Sequence, residues 1–425
     1  MNTLVAYFLN HLKNVRITNL FLITLALLSP YLIIKGIGGG EFNTYLGAAE
    51  QLKLGNSCYN IWLHYGNQNG TSQYGYSPLF AFLLIPFTYL AVWFAPLLFL
   101  IVDMAMLFAI FRLLMKWLGV NDASVKFKIV LLTTVFSLRL ILHNFEMVQL
   151  NIFLLWLTMQ GVQYISAEKK YWQGALLLAF GINFKILPIV FVPYFLCKSE
   201  YKAVALIAIF SILLLLLPAL LLGYDFNVQL LKEWINIINP LNEKYNSAQN
   251  IESYRLHGLS ALIASYFSKN DNGTFQILIS PLSNEVVRAI INVTRLFLIL
   301  LSIFFISNKH NKSTSASRYF AIEISYLLLI TPLIFPQQNK WAFVYLIHAF
   351  AVIFRHLIMK GWKEKYVSIS LLAIIFALTT LTTDGIIGKS LGYYAECLKL
   401  LTIGTLLIIP LLMLVKSNSK NLSHE

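Results

Sequence analysis

The sequence predicts an all-α membrane protein that crosses the bilayer many times, with about 11 to 13 transmembrane or re-entrant helices. Hydrophobic residues make up 58% of the 425 residues and charged residues only 12%. Soluble proteins carry about 45 to 50% apolar and about 25% charged residues. Apolar runs recur from one end of the chain to the other, so we expect one integral membrane domain over 1–425 and no soluble domain on a single anchor.

The first span is predicted over 17–35, where an apolar run follows Lys13 and Arg16. Cytoplasmic loops carry the excess of Lys and Arg, so we expect a cytoplasmic N-terminus and a first extracytoplasmic loop over 36–77. No small-residue cleavage site follows the run, and we therefore expect the span to be retained. The net charge of +14 fits basic loops beside anionic lipid, and no nucleic-acid partner is expected.

The next part of the chain holds interrupted helices. Segments 79–94 and 96–116 are predicted as spans, and 129–166 and 171–197 each as two short helices, broken at HNFEMVQLN and NFKILP. Broken helices at membrane depth persist only where the freed backbone faces protein or a wet cavity, so these breaks indicate a site. The loop charges require an odd number of crossings here and our count is even, so one piece is re-entrant or fused.

In the rest of the chain, predicted spans alternate with loops whose basic residues give a consistent orientation. A clean span at 201–222 precedes a second extracytoplasmic loop over 223–283, which we expect to be partly helical. The basic loops that follow predict a cytoplasmic C-terminus. No inverted repeat is visible, which weakens a transporter hypothesis because paired interrupted segments are its usual mark. The later spans are predicted at 286–307, 319–335, 341–358, 366–383 and 394–415.

Glu41 has the strongest position for chemistry. It follows the first span closely, after three glycines that allow a tight turn, and precedes a predicted short helix lying along the surface over 43–55. A carboxylate at a cavity mouth can have its pKa raised by partial burial and act as a general base. The alternative is an ordinary interfacial acid.

Lys185 is the second candidate, since it follows a helix break and precedes Pro188. Its ammonium could reach an anionic group such as a lipid phosphate, or could instead extend to the interface. Gln149 and Asn151 lie at the other break, where they could bind sugar hydroxyls or merely satisfy freed backbone groups. Further candidates for binding substrate are Tyr76, His257 and Gln338.

The order of these motifs resembles the polyprenol-phosphate-sugar-dependent glycosyltransferases of the C-type (GT-C) fold, in particular the bacterial mannosyltransferases of glycosyltransferase family 87. The family pattern has an acidic residue and Phe after the first span, then Tyr, a small pair, Gly and Tyr. A Tyr and Pro open the next span, and Gly-Gln-x-Asn and Gly with Lys-x-x-Pro motifs follow. The matching residues are Glu41, Phe42, Tyr45, Ala48, Ala49, Gly55, Tyr59, Tyr76, Pro78, Gln149, Asn151, Gly174, Lys185 and Pro188.

This resemblance implies a GT-C-like bundle and an inverting transfer of a hexose, with mannose the family's commonest sugar. The donor would be a polyprenyl-phosphate-linked sugar, and the acceptor a lipid or glycan on the extracytoplasmic face of a bacterial inner membrane. Glu41 would be the base, Lys185 would bind the carrier phosphate, and Tyr45 would contact substrate. A transporter or flippase of lipid-linked glycans is the alternative, and a membrane assembly factor ranks third.

The chain also departs from the family pattern. Glu41 stands where the family has Asp, Val148 replaces the Gly of Gly-Gln-x-Asn, and His257 to Ser260 match the Asn-Gln-Ser motif only loosely. Gln337 and Gln338 stand where titratable groups are expected. Cys58, Cys197 and Cys397 match no metal or redox spacing. The sequence indicates no metal site and no cofactor, and it leaves metal dependence open.

Overall fold

The computed structural model describes residues 29–65, 72–239, 254–269, 275–306, 314–360 and 366–421. The described residues are 79% helical, and the one strand pair among them joins β1 (Trp62–Leu63) to β2 (Ser72–Gln73) within the first loop. The prediction of an all-α membrane protein is therefore confirmed. Most of the predicted first span, with Lys13 and Arg16, lies outside the described residues.

The first half of the chain contains the helices that surround the site. Three helices are extended by a 3-10 turn. The turns are Ile85–Tyr89 after the helix at 78–84, Leu187–Val190 before the helix at 191–197, and Lys340–Tyr345 before the helix at 346–360. The helices are α1 (29–38), α2 (Phe42–Lys53), α3 (Pro78–Leu84), α4 (Phe94–Trp117), α5 (Ala123–Glu146), α6 (Asn151–Ser166), α7 (Tyr171–Phe184), α8 (Phe191–Cys197), α9 (Tyr201–Leu216), α10 (Ala219–Leu222) and α11 (Tyr224–Ile238).

The second half completes the bundle. A π-helical turn at Ala377–Leu381 ends the helix α16, and the chain then bends by 87° into the next helix. The helices are α12 (Leu259–Phe267), α13 (Asn284–Phe305), α14 (Thr314–Ile334), α15 (Leu346–Lys360), α16 (Tyr366–Phe376), α17 (Asp384–Cys397) and α18 (Leu400–Asn421).

The helices differ widely in length. Among the described residues, five are long and apolar enough to cross a membrane by length and composition, or six if the bent pair counts as one span. The least buried of them, α9 with α10 and α13, expose large aliphatic side chains over most of their surface. Such all-round apolar exposure is expected of helices that face lipid. The protein is thus a multi-pass membrane protein.

One of the predicted spans between 78 and 200 is too short to cross the bilayer. Segment 79–94 is α3 with its 3-10 turn, which together span roughly 20 Å, too short for a hydrocarbon core of about 30 Å. It packs against α2 and stays on the Glu41 side of the bundle. The turn Leu187–Val190 with α8 spans about 19 Å and is equally short, so an odd number of crossings between 78 and 200 stays a prediction.

Two predicted local features are corrected. The first helix of 129–166 has 24 residues and begins at Ala123, because the Asp122 carboxylate accepts from the Val125 amide at 2.7 Å and caps it. The expected surface helix exists as α2, but it is buried along most of its length. Its small residues permit this, since a Cβ on Gly47 would lie 3.1 Å from the His64 carbonyl oxygen.

Candidate functional site

The backbone at Glu41 is fixed by the break between α5 and α6. Gly40 has a positive φ of 48°, and a Cβ there would lie 2.6 Å from the Met147 carbonyl oxygen. That same oxygen accepts the Glu41 amide at 2.9 Å. The start of α2 is therefore joined directly to the interruption that the sequence marked as a site.

Gly40→Ala is expected to destabilise the protein more than Gly55→Ala does. Both positions have positive φ, which costs a side chain roughly 1–2 kcal/mol, but nothing lies within 4 Å of a Cβ on Gly55. The additional loss at Gly40 therefore measures the contact with Met147. Thermal unfolding of the two purified variants in detergent checks this, and equal losses would show that the contact does not hold α2.

A cavity of about 290 Å³ opens beside Glu41. Its walls come from the first loop, the break after α7, the end of α11 and the turn between α14 and α15. Four of the predicted site residues, Glu41, Tyr76, Lys185 and Gln338, line it together. The other lining residues are Ser72, Gln73, Gly75, Ile186, Leu187, Trp234, Ile237, Ile238, Phe335, Pro336, Gln337, Asn339 and Trp341.

The surroundings of Glu41 favour a carboxylate that holds its proton more tightly than usual. Burial raises the pKa of this group above its ordinary value, and this is the largest influence on it. A hydrogen bond from the Ser72 side chain and the positive charge of Arg255 oppose the rise and lower the pKa in part. Glu41 thus combines partial burial with access to the cavity, as general-base chemistry requires.

A chain of hydroxyl groups lies behind the cavity wall. The Tyr45 hydroxyl donates to Gln149 Oε1 at 3.3 Å and lies 2.9 Å from the Tyr76 hydroxyl. Because the Tyr45 proton goes to Gln149, the Tyr76 proton goes to Tyr45. The Tyr76 oxygen keeps a lone pair for a donor that enters the cavity.

Lys185 lies in extended backbone directly after α7. Its Nζ donates to Asn151 Oδ1 at 3.2 Å and lies 5.8 Å from the centroid of the Tyr76 ring. Asn151 Nδ2 in turn donates to Asn144 Oδ1 at 3.3 Å, and Asn144 Nδ2 donates to the Trp341 carbonyl at 2.9 Å. Within the described residues, no carboxylate pairs with this ammonium.

The remaining predicted site residues lie behind the wall. Gln149, Asn151 and Tyr45 are buried and do not line the cavity. Asn151 and Tyr45 contact the lining residues Lys185 and Tyr76, and Gln149 contacts Tyr45. His257 is also buried, and its backbone amide donates to the Gln338 carbonyl at 2.7 Å. Burial and then the charge of Lys399 lower the pKa of His257 well below its ordinary value, which keeps the ring neutral.

Comparison with protein families adds the chemistry that the geometry alone leaves open. The family model described as glycosyltransferase family 87 matches residues 74–332, which is more than half of the chain. The chain belongs to glycosyltransferase family 87. It is therefore a membrane glycosyltransferase. Comparison with curated proteins and with solved structures gives no significant match.

The matched stretch covers only part of the site of this family 87 enzyme. Tyr76, Gln149, Asn151, Lys185 and His257 lie within it, whereas Glu41 and Gln338 lie on either side. The contact from Glu41 to Met147 and that from Gln338 to His257 join those outer residues to the matched part. The fold therefore brings Glu41 and Gln338, which lie outside the matched stretch, next to residues inside it.

Ser72 and Trp234 are among the lining residues of the glycosyltransferase that sequence reasoning missed. Ser72 is placed by the small β1–β2 hairpin, which has no long alternating pattern to signal it. Trp234 had a signal, since Leu230, Trp234 and Ile237 recur at helical spacing in the second loop and mark one apolar face of α11. Glu146, the acidic residue at the break before Gln149, does not line the cavity and pairs with Lys35 at 2.9 Å.

No group of three His, Cys, Asp or Glu residues arranged to hold a metal ion occurs in the described parts of the glycosyltransferase. Cys58 and Cys397 are buried free thiols and Cys197 is an exposed one.

Proposed function

We propose that this family 87 glycosyltransferase moves a hexose from a polyprenyl-phosphate carrier to a hydroxyl group of a lipid or glycan acceptor, with inversion at the anomeric carbon. The observation that carries the proposal is the common cavity of Glu41 and Lys185. One group is a partly buried carboxylate and the other an ammonium without a carboxylate partner in the described residues. Transfer from a phosphate carrier needs one group of each kind.

The reaction uses the two groups at opposite ends of one displacement. The Glu41 carboxylate takes the proton of the acceptor hydroxyl while the hydroxyl oxygen forms a bond to the anomeric carbon. The bond from that carbon to the carrier phosphate oxygen breaks, and its electron pair leaves with the phosphate. Lys185 offsets the negative charge that develops there. Attack and departure on opposite faces of the sugar invert the anomeric centre.

The buried residues position these groups. Asn151 fixes the Lys185 ammonium through its Oδ1, and Gln149 orients the hydroxyls of Tyr45 and Tyr76. Tyr76 then presents its oxygen to a substrate hydroxyl. His257 supports Gln338, which lines the opposite wall.

The proposed setting is the extracytoplasmic side of a bacterial inner membrane, with both termini cytoplasmic and mannose as the sugar. The geometry supports a single working face, because Glu41, the α5–α6 break and α11 meet at one end of the bundle. The Lys169–Glu200 ion pair, at 2.5 Å, lies at the other end of α7. Basic residues near that second end agree with a cytoplasmic surface.

Sugar transfer is expected to slow as the solution is made more acidic. The loss of rate should begin at a higher pH than an ordinary carboxylate would give. The base works only when ionised, and burial raises the pKa of Glu41 above its usual value of 4.5. The value of kcat/KM should therefore fall as the pH drops through the folded-state pKa. A pH profile of initial rates checks this, and a constant rate down to pH near 4.5 would contradict the assigned base.

The proposal is tested with purified wild-type protein and radiolabelled polyprenyl-phosphate-mannose or polyprenyl-phosphate-glucose, using membrane extract as acceptor. The expected result is a labelled lipid or glycan whose new linkage has the anomeric configuration opposite to that of the donor. Retention of configuration would exclude the single displacement. Carrier movement across vesicles without transfer would favour a flippase instead.

A further inference from the structure

The helix α11 forms one wall of the cavity and is held from both directions. Asn227 Nδ2 donates to the Leu215 carbonyl at 3.0 Å, and the Ser57 hydroxyl donates to Glu233 Oε2 at 2.5 Å. Trp234 follows Glu233 and lines the cavity with Ile237 and Ile238. These two bonds hold α11 between the bundle and the first loop.

Two polar atoms in this wall lack a partner. Trp234 and Gln338 are each only 6% exposed, and neither Trp234 Nε1 nor Gln338 Oε1 forms a hydrogen bond with any described residue. The Gln338 amide is oriented by its other atom, because Nε2 donates to the Pro336 carbonyl at 2.8 Å. Its Oε1 is thus an acceptor that faces away from this bond.

We propose that Trp234 and Gln338 form a hydroxyl-recognition subsite for a sugar ring, which sets specificity for the proposed transfer and rests on that proposed function. Buried polar groups without partners are costly, and native proteins keep few of them without a reason. Trp234 has a donor and Gln338 an acceptor without a partner in the described residues, and sugar hydroxyl groups can accept from the one and donate to the other.

The chemistry of this wall selects a neutral ligand. Its contributions from α11 and from residues 335–338 carry no charged side chain, whereas Glu41 and Lys185 lie elsewhere on the lining. The indole adds an apolar face on which a sugar ring can pack. Both unpaired atoms are buried beneath the cavity surface, so the proposed contact requires a shift of the two side chains when a sugar binds.

The hydroxyl group that this subsite would bind belongs either to the donor sugar or to the acceptor. Comparing the binding of carriers with and without a sugar distinguishes the two. Purified protein in a sugar-free detergent is titrated with polyprenyl-phosphate-mannose and with bare polyprenyl phosphate, and the affinity is read from thermal stabilisation. Wild-type protein should prefer the sugar-bearing carrier. Trp234→Phe keeps the ring but removes the N–H, and we expect it to lose about tenfold of that preference.

Trp172→Phe is the matched control, because Trp172 is 61% exposed on α7 and is not a lining residue. It should retain the wild-type preference. Gln338→Leu removes the acceptor and should reduce the same preference, so it replaces Trp234→Phe if that variant does not fold. This binding experiment tests the subsite without any transfer assay. It therefore gives an answer even if the wild type transfers no sugar and the proposed function fails.

The acceptor arm uses the transfer assay with the membrane extract diluted in steps. If Trp234→Phe keeps the carrier preference but raises KM for the extract about tenfold with kcat little changed, the hydroxyl belongs to the acceptor. Wild-type carrier preference together with wild-type KM and kcat in both Trp234→Phe and Gln338→Leu would overturn the subsite. If the wild type transfers no sugar, unchanged carrier preference in both variants overturns it.

Discussion

Glu41→Gln is expected to reduce sugar transfer by about 10²- to 10⁴-fold, the usual contribution of a positioned general base. The amide keeps the shape of the side chain and can still accept from Ser72, but it cannot take a proton from the acceptor. Initial rates with labelled polyprenyl-phosphate-mannose measure the loss. Carrier binding should be nearly unchanged, because the phosphate is assigned to Lys185.

The matched control is Glu50→Gln, which alters a carboxylate on the same helix α2 that does not line the cavity. It should leave the rate close to that of wild type. Folding gives a second control. The fold raises the pKa of Glu41, so the stability that this group contributes is present at low pH and is lost as the pH rises through the folded-state pKa. Near neutral pH, Glu41→Gln should therefore melt no lower than wild type.

Lys185→Met is expected to lower kcat/KM for the carrier-linked sugar by about 10²- to 10³-fold, as for other groups that stabilise developing charge. Methionine has a similar length and apolar stem but no charge, so the departing phosphate loses its counter-ion. Lys185→Arg should recover part of the rate because it keeps the charge with different geometry. Steady-state kinetics at several donor concentrations measure both effects.

Lys53→Met serves as the control for Lys185, since Lys53 is an exposed lysine that lies over the Tyr89 ring at 4.0 Å and away from the cavity. Its rate should match wild type. A full rate for Lys185→Met, or an equal loss for Lys53→Met, would contradict the assignment of the carrier phosphate to Lys185.

The sequence was most informative where membrane physics is restrictive. Backbone groups freed at a helix break need protein or water as partners. Polar residues inside an apolar run therefore marked the breaks beside Gln149 and Lys185 in the sequence. The structure shows both breaks, with Lys185 in extended backbone between α7 and its 3-10 turn. Which residues then line a common cavity depends on packing between distant segments, and no periodicity encodes that.

Where the structure differs from the sequence-based prediction, the cause is local. The helix α2 carries apolar residues on one side, which suggested a surface helix, but its small residues let neighbours cover the other sides as well. Segment 79–94 is apolar enough for a span, yet Pro86 lies at the start of a 3-10 turn that cuts the helix short. Trp234 repeats at helical spacing with Leu230 and Ile237, but that spacing indicates an apolar helix face without saying what the face contacts.

The most direct test of the shared cavity is a single-turnover experiment. Wild type, Glu41→Gln and Lys185→Met are each mixed in excess with labelled polyprenyl-phosphate-mannose, and bound and transferred label are counted after acceptor is added. We predict that Glu41→Gln binds the carrier without transferring its sugar, and that Lys185→Met loses both binding and transfer. Transfer at the wild-type rate in both variants, from protein that is folded, would contradict the site.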